Sequence, residues 1–151
     1  MRTHSLVHQT IIKRPIHEVF EFFSNAENLN LITPPEFNFK ILSPLPIKMY
    51  AGTRIEYSIK FKGIPFKWKT EISAWEKEQY FIDKQLSGPY KIWEHTHLFK
   101  AVEGGTEMTD KLSYLAHGWI VEPFLQAAFV KRNVEAVFAF RNQKLKELFP
   151  G

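Results

Sequence analysis

The sequence contains no cysteine. This absence excludes disulfide bonds, zinc sites with cysteine ligands, iron–sulfur clusters and a thiol nucleophile. Long apolar runs are missing as well, so we expect neither a membrane-spanning helix nor a secretory signal peptide. Together these absences predict a cytoplasmic protein without stable membrane insertion.

Aromatic residues are abundant: the 151 residues include 14 Phe, 5 Tyr and 4 Trp. This length fits one domain, residues 1–151, that buries a sizeable core. Large side chains with few rotamers either fill a core or form walls around a bound molecule. The composition leaves both possibilities open.

The net charge is +4, which raises the question of nucleic-acid binding. In the segment Phe66-Lys67-Trp68-Lys69 the bases alternate with aromatic residues. In a strand these two types point to opposite faces, whereas a nucleic-acid platform needs them on the same face. We therefore expect no nucleic-acid partner and interpret the lysines as the solvated face of a sheet.

Alternating apolar and polar residues predict seven strands, at residues 5–12, 37–42, 55–61, 66–74, 81–86, 93–99 and 106–115. Two short helices are expected between the first and second strands. The first begins at Pro15, and the second is capped by Ser24 or Asn25. A long helix from about Val121 to Leu148 ends the chain. Turns such as Gly104-Gly105 join successive strands as hairpins, which predicts an α+β fold with an antiparallel sheet.

The strand Trp93–Phe99 has an unusual composition. Trp93, His95, His97 and Phe99 share one face, because strand side chains alternate. Two imidazoles between large aromatic residues are too polar for an ordinary core and too aromatic for an ordinary surface. Our hypothesis is that this face lines an internal cavity. The apolar stripe of the last helix, which contains Arg141, is broad enough to lie in a curved sheet and to face the same space.

The order of the predicted elements, with particular local segments, resembles a known superfamily. The segments are Gly63-Ile64-Pro65 with Trp68, and Gly88-Pro89-Tyr90 followed by Trp93, His95, His97 and Phe99, then Thr106, Met108 and Asp110. They resemble the START-like, birch-pollen-allergen (SRPBCC) superfamily, in its bacterial branch related to polyketide cyclase/dehydrase proteins. The resemblance implies a helix-grip fold with a deep cavity between the sheet and the C-terminal helix. It does not imply a particular reaction.

The expected function is non-covalent binding of a hydrophobic or amphipathic small molecule, without a cofactor or a metal. Apolar walls and a polar recognition group are both expected around the ligand. The predicted ligand-binding residues are Tyr57, Phe61, Trp68, Phe81, Asp83, Gln85, Trp93, His95, His97, Phe99, Asp110, Leu112, Tyr114, Val134, Val137, Phe138 and Arg141.

Other interpretations of the polar residues stay open. They could form a hydrogen-bonded network that holds the sheet to the helix. They could also catalyse a cyclase/dehydrase-type reaction, with His95 or His97 carrying a proton and Asp110 or Asp83 orienting it. A third possibility is metal binding, because the spacing His95-x-His97 with a carboxylate suits Zn²⁺ or Fe²⁺. The bulky Trp93 and Phe99 side chains beside the imidazoles favour packing over metal binding. The ligand's identity and the oligomeric state are not predicted.

Overall fold

The computed structural model describes the backbone of residues 3–61, 63–116 and 123–150, and the side chains of these ranges apart from 61 and 123–130. A curved seven-stranded antiparallel sheet has the order β1-β7-β6-β5-β4-β3-β2. Its strands are β1 (His4–Ile12), β2 (Lys40–Ile41), β3 (Arg54–Phe61), β4 (Ile64–Glu76), β5 (Tyr80–Ser87), β6 (Tyr90–Val102) and β7 (Gly105–Ala116). The long helix α2 (Pro123–Leu148) follows the sheet. This arrangement confirms the predicted α+β helix-grip fold.

Two short helical segments follow β1, as predicted, but only the first is an α-helix. It is α1 (Ile16–Phe23), whose Val19, Phe20 and Phe23 are buried. The second, Ala26–Ile32, is a 3₁₀ helix, and the Asn25 side chain caps it by accepting a hydrogen bond from the Glu27 N–H at 3.1 Å. A further 3₁₀ turn covers Pro35–Phe37.

The second strand is shorter than predicted. We expected residues 37–42, but β2 contains only Lys40–Ile41. Phe37 belongs to the preceding 3₁₀ turn, and Asn38 has φ = +45°, a left-handed conformation that interrupts an extended chain. Residues 37–39 therefore lie in a connecting segment rather than in the sheet.

Helix α2 is buried along one stripe, at Val134, Phe138, Arg141 and Leu145. These positions are four, three and four residues apart, so they lie above one another on one helix face. Val121, where we expected the helix to begin, lies outside the described residues. The stripe faces the concave side of the sheet, which places Arg141 close to β7.

The buried apolar side chains form two clusters. One joins α1 and the Ala26–Ile32 helix to the sheet through residues such as Phe20, Phe81 and Met108, and the other joins α2 to β7 through Leu112 and Phe138. Members of both clusters contribute to the wall of one cavity. The core is therefore divided around an internal space instead of closing over it.

Candidate ligand-binding site

Strand β6 places both imidazoles inside the molecule. His95 is 5% exposed and His97 is 4% exposed, whereas the intervening Thr96 is half-buried and Glu94 is exposed. The two rings stack on each other with centroids 3.8 Å apart. His97 also stacks on Phe81 at 4.1 Å, and His95 meets the edge of Phe138 at 5.6 Å. The strand alternation read from the sequence therefore gives the correct side of the sheet for this segment.

A cavity of about 200 Å³ lies between the sheet, α2 and the short helices. An apolar cavity of about 150 Å³ can hold a benzene molecule, and pockets for drug-sized ligands start at about 300 Å³. The space thus suits a molecule somewhat larger than one aromatic ring. The residues from the sequence prediction that line it are Tyr57, Trp68, Phe81, Asp83, Trp93, His95, His97, Val134, Val137, Phe138 and Arg141.

The remaining predicted residues have other surroundings. Buried residues that do not line the cavity are Gln85, Phe99, Asp110, Leu112 and Tyr114. The amide of Gln85 is already used, because its Nε2 donates to the Tyr90 carbonyl and its Oε1 accepts from the Tyr90 N–H. Phe99 and Leu112 belong to the two apolar clusters. The Phe61 side chain lies outside the described part of the chain.

Sequence reasoning missed two groups of cavity residues. Ile55 and Ile59 have the same parity as Tyr57, and Thr70 and Ile72 have the same parity as Trp68, so alternation could have found them. The second group comes from the short helices, the loops, α2 and the ends of strands. Its members are Phe23, Ala26, Leu29, Ile32, Thr33, Phe37, Phe39, Met49, Pro89, Tyr90, Ala116 and Asn133.

One wall of the cavity is aromatic. Trp68 stacks parallel to Tyr57 at 5.8 Å and meets Trp93 edge-on at 5.2 Å. Tyr90 packs against both tryptophans, at 5.8 Å from Trp68 and 4.8 Å from Trp93. Stacked and edge-to-face contacts fix these rings against one another, so the wall keeps its shape without a ligand.

The charged and imidazole side chains form a compact group that we call the polar cluster: Asp83, His95, His97, Asp110 and Arg141. His95 Nε2 lies 2.8 Å from Asp110 Oδ1, and His97 Nε2 lies 2.6 Å from Asp83 Oδ2. Arg141 Nη2 lies 3.2 Å from Asp110 Oδ1, and its guanidinium also lies over the rings of Phe23 and Phe138 at 5.2 and 5.6 Å. Two carboxylates and one guanidinium thus surround two stacked imidazoles.

These contacts shift the ionisation of the cluster. Burial lowers the pKa of His97 to about 4, the neighbouring His95 adds to this, and the attraction of Asp83 and Asp110 only partly offsets it. Burial alone would raise the pKa of Asp110, but the charge of Arg141 and the hydrogen bond from His95 hold it well below its ordinary value. Burial alone would also raise the pKa of Asp83, but the interaction with His97 is the main cause that lowers it. Near neutral pH both carboxylates are therefore charged and His97 is neutral.

Several buried polar atoms in the cavity wall have no hydrogen-bond partner among the described residues. They include Trp68 Nε1, Asn133 Nδ2, His97 Nδ1 and Arg141 Nε. Three of these four are donors whatever the protonation state, since indole, amide and guanidinium nitrogens carry hydrogen. An unpaired buried donor costs about 1–3 kcal/mol. A ligand with acceptor oxygens would remove this cost.

The cluster offers two kinds of chemistry. A neutral imidazole beside a carboxylate can accept and return a proton. Asp83, His95 and His97 also each provide one possible metal-ligand atom, and the three atoms lie within 4.8 Å of one another. Among the described residues no helix is both long and apolar enough to cross a membrane.

A sheet that wraps around a long helix, with a cavity between them, defines a START-like protein of the birch-pollen-allergen type. Residues 12–141 match the sequence profile of the family described as "Polyketide cyclase / dehydrase and lipid transport". The chain belongs to this family. No curated protein matches the sequence.

Solved structures of other proteins have the same fold. The Zhui aromatase/cyclase of a Streptomyces species superposes with a TM-score of 0.77 at 12% identity, over 95% of this chain and 92% of that one. Protein Ms6760 of Mycobacterium smegmatis gives 0.70 at 14% identity, over 95% and 89% of the chains. The major latex-like protein 151 of Panax ginseng gives 0.66 at 16% identity, over 99% of both. At these identities the likeness concerns the fold alone.

Proposed function

We propose that this protein binds a small hydrophobic or amphipathic molecule, non-covalently, in the cavity between the sheet and α2. The observation that carries the proposal is the cavity itself: about 200 Å³, walled by aromatic and aliphatic side chains, with charged groups of the polar cluster in the same wall. An apolar body buried there is stabilised by about 25 cal/mol per Å² removed from water. The family description, which includes lipid transport, supports the same conclusion.

The unpaired donors indicate the polar end of the ligand. Trp68 Nε1 and Asn133 Nδ2 each lack an acceptor within the described structure, although both residues line the cavity. Asp83 and Arg141 contribute one charge of each sign to the wall. We therefore expect a neutral ligand with one or two carbonyl, ether or hydroxyl oxygens on an otherwise apolar frame. A formal charge on the ligand would leave the wall with an unbalanced buried charge.

The test fills part of the cavity with a larger side chain. Val137 is half-buried and lines the cavity, whereas Val7 lies on the outer face of β1 and is 62% exposed. Native mass spectrometry of protein purified from its own cells identifies the molecule carried, and calorimetry measures its affinity. We expect Val137→Trp to weaken binding at least about tenfold by occupying the space, while the matched control Val7→Trp binds normally. Equal affinities of both variants, or no molecule retained by the wild type, would refute the proposal.

A cyclase/dehydrase-type enzyme is the second candidate, and the geometry of His95 favours it. Its Nε2 lies 2.8 Å from Asp110 Oδ1, and its Nδ1 has no hydrogen-bond partner among the described residues. His95 lines the cavity. In this role Nδ1 would take a proton from carbon beside a ligand carbonyl and return it to the leaving hydroxyl, with Asp110 as the orienting group.

Turnover separates the two candidates. The identified ligand and its carbonyl analogues are incubated with wild type, His95→Gln and His97→Gln, and products are followed by mass spectrometry. An enzyme forms product that disappears with His95→Gln. If the variants change affinity and no protein forms product, the binding function stands alone.

A further inference from the structure

We propose that Asp83, His95 and His97 form a binding site for one divalent transition-metal ion in the wall of the cavity. This goes beyond the proposed function, which needs no metal, and it departs from our expectation from the sequence that no metal is bound. One donor atom of each residue lies within 4.8 Å of the others. Two imidazoles and a carboxylate are a donor set that zinc and other late first-row metals accept.

The distances require only small shifts. His95 Nδ1 and Asp83 Oδ2 are 3.9 Å apart, whereas two ligands at about 2.0–2.2 Å from one tetrahedral ion are about 3.3–3.6 Å apart. His97 Nε2 and Asp83 Oδ2 are closer, at 2.6 Å, because a hydrogen bond joins them. Replacing that proton by an ion requires these two atoms to separate by on the order of one ångström. Asp83, with its side chain 19% exposed, is the least buried member of the cluster and can make this shift.

Each imidazole of the cluster has a carboxylate oxygen near both of its nitrogens. His95 Nε2 lies 2.8 Å from Asp110 Oδ1, and its Nδ1 lies 3.9 Å from Asp83 Oδ2. His97 Nε2 lies 2.6 Å from Asp83 Oδ2, and its Nδ1, 3.6 Å from Asp110 Oδ1, is buried and unpaired in the described structure. In each ring one nitrogen therefore faces Asp83 and the other faces Asp110.

An ion at Asp83, His95 Nδ1 and His97 Nε2 uses the nitrogens that face Asp83. The other two nitrogens, His95 Nε2 and His97 Nδ1, then both face Asp110 Oδ1, at 2.8 and 3.6 Å. Asp110 becomes the common acceptor for the outward nitrogens of both metal-binding histidines. This is the carboxylate–histidine–metal arrangement that orients imidazole ligands and strengthens their bond to the metal.

The charge of the cluster also suits a cation. The two carboxylates and Arg141 sum to one negative charge. The guanidinium opposes a second cation, but its carboxylate partner is Asp110, at 3.2 Å, and not the proposed ligand Asp83. All three proposed ligands line the cavity, so the remaining coordination positions open towards it. Three protein ligands with an open position are typical of zinc sites that hold water or a substrate oxygen.

The experiment titrates the chelator-treated full-length protein with Zn²⁺ by calorimetry and with Co²⁺ by visible absorption. We expect saturable binding of one ion per chain. Asp83→Asn, which keeps the shape but removes the charge, should weaken binding on the order of 100-fold. Asp110→Asn should weaken it about 10- to 100-fold without changing the stoichiometry, since Asp110 acts through the histidines. His17→Ala, at an exposed histidine on α1, is the control and should change nothing.

The opposite results overturn the proposal. They are an absence of saturable binding by wild type, or binding that Asp83→Asn leaves intact and His17→Ala reduces. If Asp83→Asn does not fold, paramagnetic shifts of the ring protons in Co²⁺-loaded wild type decide: they must affect His95 and His97, and shifts confined to other histidines refute the site. Binding of the cavity ligand by metal-free protein is measured in parallel, so the two proposals fail independently.

Discussion

Replacement of Arg141 by methionine tests how strongly α2 is attached to the sheet by charge. Arg141 is 8% exposed, and Asp110, the partner at 3.2 Å, is 1% exposed. Methionine keeps most of the apolar volume against Phe23 and Phe138 but leaves the Asp110 charge buried without its cation. Loss of one member of a buried ion pair costs about 3–5 kcal/mol. We expect a loss of this size in the free energy of unfolding, measured with urea near neutral pH.

A surface position on the same helix provides the control. Lys144 lies 3.3 Å from Glu147, with side chains that are 42% and 56% exposed, and such a surface pair contributes about 0–1 kcal/mol. Lys144→Met should therefore be nearly neutral. The double variant Arg141→Met/Asp110→Asn should lose less than the sum of its single variants, because the uncompensated charge is gone. If Arg141→Met costs no more than Lys144→Met, the buried pair does not attach the helix and our reasoning is wrong.

Three further predictions concern stability. The pKa of His97 is about 4 in the folded metal-free protein against an ordinary 6.5. The unfolded chain therefore binds this proton first, and stability should fall by up to about 3 kcal/mol as the pH drops from about 6.5 to about 4. Urea unfolding across this range checks the sign, and a flat profile would contradict the shift. Gly105→Ala should lower the free energy of unfolding by about 1–3 kcal/mol, because an added Cβ would clash with the β1 backbone. Gly63→Ala adds only the backbone strain of φ = +79° and should cost less. Thermal unfolding of both variants ranks the two costs. Gln85→Leu removes both hydrogen bonds to the Tyr90 main chain and should cost about 2 kcal/mol in the same assay, with a neutral result excluding this role.

The sequence alone determined the fold class and the faces of the regular strands. Alternation in β6 and β7 put His95, His97 and Asp110 on the inner face, because one face of an antiparallel sheet must be apolar enough to cover a core. The stripe of α2 likewise placed Val134, Phe138 and Arg141 inward. Periodicity is a local property, so it can be read without knowing which elements meet.

Only the tertiary structure decided how far each inward side chain is from the cavity. Asp83 and Asp110 have equivalent positions in their strand patterns, yet Asp83 lines the cavity and Asp110 lies behind the imidazoles, next to Arg141. Tyr90 faces the cavity because the β6–β7 register shifts between Tyr90 and Ile92, which alternation does not reveal. Packing depth and irregular backbone depend on contacts between distant segments, and these are set when the sheet curves around the helix.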